Sequence, residues 1–163
     1  MTSKPVIYTI GHSTISLVDF MTLVEFWGLQ AVVDVRSKPY SQYNPHFNKE
    51  VLMGTFHRKC IDYYWRGKTL GGLCKTSIKD ENFLADIKFV ADLAKKGLKT
   101  AIMCSESQPL KCHRAYKLSP VFLGQGFQVR HLIQKTQEDG AEFQSKRRNS
   151  WLWEECQKQG ELF

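Results

Sequence analysis

Residues 103–114 of the chain read Met103-Cys104-Ser105-Glu106-Ser107-Gln108-Pro109-Leu110-Lys111-Cys112-His113-Arg114. Two thiols, a carboxylate, an imidazole and a guanidinium crowd this short stretch. Nearby cations and a helix N-terminus lower a thiol's pKa, so Cys104 or Cys112 can act as a nucleophile; either can equally be a small buried apolar residue. Glu106 can handle protons. His113 and Arg114 can bind an anion, or Arg114 can bridge to Glu106.

Two further polar clusters carry the same kind of chemistry. Gly11-His12-Ser13-Thr14 offers an imidazole that shuttles a proton, hydrogen-bonds an anion or merely caps a turn. Ser13 and Thr14 precede a helix, where hydroxyls and free N–H groups suit phosphate and plain capping alike. In Asp34-Val35-Arg36-Ser37 the carboxylate is flanked by valines and needs a partner. Asp34 is then a base or orienter with Arg36 as an anion clamp, or the two form a salt bridge that pins the loop. The candidate catalytic set is His12, Asp34, Cys104, Glu106 and Cys112; the candidate substrate-binding set is Ser13, Arg36, Ser37, Tyr40, His113 and Arg114.

These clusters share one position in the pattern: each follows a short apolar run. Val6–Ile10, Ala31–Val35 and Thr100–Cys104 read as buried strands. Ser16 begins a helix over about 17–27, with Asp19 three residues on, so the first two strands form a parallel βαβ unit. An amphipathic helix over 82–96 ends at Gly97, and a helix over about 112–123 leads to an alternating strand at 127–133. If the strands are parallel neighbours, all three clusters lie along one edge of the sheet, where α/β proteins build sites. Residues 37–80, with Pro39, Pro45 and many rings, predict a long aromatic-rich excursion with short helical or strand pieces. The expected architecture is an α/β sandwich with a mostly parallel sheet and helices on both faces. One domain over 1–163 is expected, with a core at 6–133 and a basic extension at 134–163.

The formal net charge is +7, unevenly spread: residues 36–68 carry seven Lys or Arg against Glu50 and Asp62. Residues 111–148 carry eight against Glu138, Asp139 and Glu142. That asymmetry favours an anionic small molecule or a nucleic acid as partner. Lys146-Arg147-Arg148-Asn149-Ser150-Trp151-Leu152-Trp153 mixes charge and rings, which suits nucleic acid or a short helix at 150–155 docked on the core. Five cysteines, an odd number without CxxC spacing, argue for reduced thiols in a cytoplasmic protein, and no apolar run suits a membrane span. Oligomeric state is not legible.

Several familiar sites are missing from the pattern. Zinc ligands could be drawn from His12, Cys104, Cys112, His113 and His131, but Cys-x7-Cys-His is not a standard knuckle. Adjacent Cys112 and His113 on a helix would also diverge, so neither metal nor cofactor is expected. A Cys-x5-Arg phosphatase loop fails because Leu110 stands six after Cys104, and there is no P-loop or GxGxxG fingerprint.

Together, Tyr8-Thr9-Ile10-Gly11-His12-Ser13, Val33-Asp34-Val35-Arg36-Ser37-Lys38-Pro39, Tyr63…Leu70-Gly71-Gly72 and Cys104-x-Glu106-x-x-Pro109-x-x-Cys112-His113-Arg114 resemble a conserved bacterial and archaeal family, domain of unknown function DUF488. The resemblance implies a compact α/β domain with a polar pocket built from these motifs, and no reaction. The functional expectation is an enzyme acting on a phosphorylated small molecule, nucleotide or nucleic-acid end. The alternatives are a non-catalytic nucleic-acid binding domain and a thiol-based redox protein, which requires Cys104 and Cys112 close enough to bridge.

Overall fold

The structure, a computed structural model, describes residues 3–134 and 151–155. Six strands form one sheet: β1 Val6–Gly11, β2 Ala31–Asp34, β3 Asp62–Trp65, β4 Thr100–Cys104, β5 Gln128–Gln134 and β6 Trp151–Glu155. Their order is β3-β2-β4-β1-β5-β6. The first five run parallel, and β6 pairs antiparallel with β5. The helices are α1 Leu17–Phe26, α2 Lys49–Arg58, α3 Gly67–Leu70, α4 Glu81–Lys95 and α5 Ser119–Gly124.

The interior strands are nearly continuous apolar runs because parallel sheets are covered on both faces. Alternation sends Ile7, Val33, Ile102 and Val129 to one face, packed with Phe83, Ile87 and Val90 of α4 and Phe122 of α5. Tyr8, Ile10, Val32, Ala101 and Met103 face the other way, onto Phe20, Leu23 and Val24 of α1 and Leu52 and Phe56 of α2. Helix starts are chemically defined. The Ser16 hydroxyl accepts from the Asp19 N–H at 3.0 Å, and Asp80 caps α4 by accepting from Asn82 and Phe83. The apolar stripe of α4 ends before Gly97, whose φ of +88° turns the chain into β4.

The structure departs from the sequence pattern in three places. β1 and β2 are parallel as the βαβ unit requires, but β4 lies between them. The excursion's short helical and strand pieces are α2, then β3, which pairs with β2 along the sheet's far edge, then α3; they are no departure. Residues 112–123 do not form one helix: a tight turn at Pro109–Lys111 and a π-helical turn at Arg114–Leu118 precede α5. Pro120 has no N–H for the Tyr116 carbonyl, and the Ser119 hydroxyl donates to the Arg114 carbonyl, so the regular ladder slips here. Trp151–Glu155 is a strand rather than the expected docking helix. Its ring-rich alternation matches strand propensity, and β5 would otherwise be an open edge. The remainder of the basic extension, residues 135–150 and 156–163, lies outside the described residues. Among the described residues, no helix is long and apolar enough to cross a membrane.

Candidate functional site

β2, β4 and β1 are consecutive in the sheet, and their carboxyl ends are in register: Gly11 pairs with Cys104, and Asp34 with Met103. The ladder continues past the strand ends. The His12 N–H donates to the Cys104 carbonyl (3.1 Å), Ser13 to Ser105 (2.8 Å) and Val35 to Met103 (2.9 Å). Three polar loops are thereby stapled side by side around a cavity of about 690 Å³. The loops lie so close that a Cβ on Gly11 would stand 1.9 Å from the Glu106 carbonyl oxygen. Ser13 adopts φ +50°, a left-handed conformation unusual for serine, at the cavity wall.

One wall is a buried ion pair. Asp34 Oδ1 accepts from Arg36 Nε at 2.9 Å and Oδ2 from Nη2 at 2.7 Å, while Tyr63 Oη donates to Oδ2 at 2.5 Å. Arg36 Nη2 also donates to the Phe47 carbonyl. Burial opposes the charge on Arg36, but its bonds to Asp34 outweigh it and raise its pKa above the ordinary value. Burial, reinforced by the Asp34 charge, raises the pKa of Tyr63. His12 completes the wall, stacked on Phe47 with ring centroids 4.1 Å apart. Its Nδ1–H donates to the Ser13 carbonyl, so Nε2 accepts from Arg36 Nη1 at 3.2 Å. Burial holds His12 neutral by pushing its pKa down to about 4; the Ser13 carbonyl pulls the other way, and Arg36 adds to the lowering. Its lone pair is committed to Arg36, so His12 orients that guanidinium. Four of the five Arg36 N–H bonds are thus used, and the guanidinium lines the cavity.

The floor is sulfur and imidazole. Cys104 ends β4, and Cys112 is extended (φ −120°, ψ 142°) between the Pro109 turn and the π-helical turn. His113 Nδ1 lies 3.6 Å from Cys112 Sγ and 4.0 Å from Cys104 Sγ. The expectation that adjacent Cys112 and His113 diverge is overturned: the extended backbone at Cys112 breaks the helical spacing that would separate them. The hydrogen bond from Cys112, helped by His113, holds Cys104 well below the ordinary thiol range against the opposing effect of burial. The same contact, with burial, pushes Cys112 up. A Cβ on Gly72 would stand 2.9 Å from His113 Nδ1, so the glycine lets this chain segment lie on the ring.

The predicted residues separate into two groups. His12, Ser13, Arg36, Ser37, Tyr40, Cys104, Glu106, Cys112 and His113 all line the cavity. Asp34 and Arg114 do not. Asp34 is fully buried behind Arg36, which makes it the anchor of a salt bridge and not an accessible base. Arg114 is fully buried too; it donates to the Glu106 and Ser107 carbonyls and to Thr9 Oγ1, so it braces the loop instead of clamping an anion. It meets Glu106 through the backbone, not through the carboxylate. That carboxylate accepts from the Gln108 N–H at 2.9 Å and the Ser107 hydroxyl, closing its own loop. Ser37 Oγ accepts from the Leu73 N–H, and the Tyr40 hydroxyl donates to Glu50. Reading the sequence passed over Lys38, Lys111 and Tyr116, which also line the cavity. Both lysines adjoin the clusters, which was the available signal.

A family model described as Domain of unknown function DUF488 matches residues 16–77, and over this stretch the chain resembles that family. The match takes in the Asp34–Pro39 and Tyr63–Gly72 motifs and stops short of the two sulfur-bearing positions on the cavity floor. No curated protein and no solved structure matches the chain.

Proposed function

We propose that this protein is an enzyme that binds a small anionic substrate, a phosphorylated compound or nucleotide, and transforms it at the thiol–imidazole floor of the cavity. The observation that carries this reading is the pairing, within one cavity, of cationic groups and a reactive floor. Exposed Lys38 and Lys111 and the Arg36 guanidinium supply the cations; Cys104, Cys112 and His113 form the floor. Phosphate oxygens suit both lysine and guanidinium donors. The polar hydroxyls of Ser13 and Ser37 add donors at the wall. Placement at the carboxyl ends of adjacent parallel strands is where open α/β sheets bind ligands.

Thermal-shift titration with inorganic phosphate and nucleoside phosphates tests the reading. Wild type should be stabilised, by about 2.7 kcal/mol at a hundredfold excess over Kd. The Lys38→Ala/Lys111→Ala double variant should lose most of that response. Stabilisation by oligonucleotides alone, steeply salt-dependent, would instead point to a surface nucleic-acid binder.

A further inference from the structure

We propose that Cys104 Sγ, Cys112 Sγ and His113 Nδ1 form a three-ligand site for a zinc ion whose fourth position opens into the cavity. The three atoms all lie within 4.8 Å of one another, and all three residues are buried. A tetrahedral zinc with Zn–S near 2.3 Å and Zn–N near 2.0–2.1 Å requires S···N separations of about 3.6 Å and an S···S separation of about 3.8 Å. The two S···N distances here, 3.6 and 4.0 Å, are within a few tenths of an ångström of that value, and the S···S separation is no more than 4.8 Å.

His113 supplies an independent reason. Its side chain is 6% exposed, yet its ring has no oxygen or nitrogen partner among the described residues. Nδ1 faces only the two sulfurs, at separations that make weak hydrogen bonds, and Nε2 has no partner. A metal between Nδ1 and the sulfurs would replace those two weak contacts with strong ligand bonds and leave Nε2 to carry the ring N–H. Two thiolates also neutralise a divalent ion, which makes its burial tolerable. The soft sulfur–imidazole donor set favours zinc over magnesium or calcium. Three protein ligands with an open position is the pattern of reactive rather than structural zinc. The cavity lies on that open side, since all three ligands line it. The metal site stands on the ligand geometry; its role as a Lewis acid toward an anionic substrate rests on the function proposed above.

The test uses the full chain, stripped with a chelator, kept under reductant and titrated with cobalt(II) and then zinc. One cobalt per chain should bind, with a thiolate-to-cobalt charge-transfer band and the visible bands of a tetrahedral ion, and zinc should displace it. Cys112→Ser and His113→Gln, checked for folding by circular dichroism, should each weaken binding more than about tenfold. Cys74→Ser should bind as wild type does. Absence of the bands, or bands unchanged in both Cys112→Ser and His113→Gln, would overturn the site. A Cys104–Cys112 disulfide that survives reductant and blocks cobalt would overturn it too. Phosphate thermal shifts on the metal-free chain separate the two proposals. An anion response without metal binding defeats only the zinc site, and metal binding without an anion response defeats only the reading of the cavity.

Discussion

Asp34 grips one edge of the Arg36 guanidinium with both carboxylate oxygens, Nε at 2.9 Å and Nη2 at 2.7 Å, although the two residues are only two apart in the chain. The same carboxylate also accepts the Arg36 backbone N–H at 3.1 Å, which folds the chain sharply where β2 ends. Asp34 is fully buried and Arg36 is 6% exposed. Removing one partner therefore leaves an uncompensated buried charge. Asp34→Asn should destabilise the fold by about 3–5 kcal/mol, measured by urea unfolding. Tyr63→Phe, which deletes one donor to the same carboxylate, should cost less, about 1.5–3 kcal/mol. Equal losses in the two variants would contradict this division of roles.

Gly11 has no room for a side chain against the Glu106 carbonyl. Gly11→Ala should therefore push the β1 and β4 loops apart and destabilise the protein by about 3 kcal/mol or more. Gly54 is a fair control: an added Cβ there comes no nearer than 3.5 Å to the tip of Arg58, and alanine is a better helix former. Gly54→Ala should leave stability unchanged or raised. Matching losses at the two sites would argue that the loop contact is not tight.

Gly72 makes a more local prediction. Its Cβ would crowd the His113 ring, so Gly72→Ala should turn or displace that imidazole while the sheet is untouched. Cobalt affinity should fall with little change in Tm. A variant that unfolds but binds cobalt normally when folded would show that the glycine serves the backbone alone.

His131, on β5, gives a pH signature. Thr9 Oγ1 accepts from Arg114 Nε and shares a 2.6 Å hydrogen bond with His131 Nδ1. Burial pushes the His131 pKa down to about 4, and the Arg114 charge adds to this. The unfolded chain binds this proton near pH 6.5 and the folded chain only near 4, so the unfolded state holds more protons between those values. Stability should rise with pH across that window and fall as pH drops through it. His131→Gln should flatten the profile relative to wild type, by up to about 1.4 kcal/mol per pH unit, in denaturation curves collected from pH 4 to 7. Identical slopes would place the wild-type dependence on other groups.

Much of this architecture was written in local pattern. Apolar runs such as Val6–Ile10, Ala31–Val35 and Thr100–Cys104 read as interior strands, and Ser16 and Asp80 mark helix starts by their own side-chain chemistry. Their common ending in polar clusters points to one edge of the sheet, given parallel neighbouring strands. The sequence by itself did not determine strand order: β4 enters between β1 and β2 because long-range packing, not proximity in the chain, selects neighbours. Nor could it distinguish a residue that faces ligand from one that holds such a residue in place. Arg36 and Arg114 look alike in the chain. Yet one lines the cavity, and the other is spent on the Glu106 and Ser107 carbonyls, because unpaired backbone oxygens at a buried loop need donors. The meeting of Cys104, Cys112 and His113 belongs to the same class. A helical reading separates Cys112 from His113, and only the extended backbone at Cys112, set between two tight turns and closed over β4, brings the three side chains to one point.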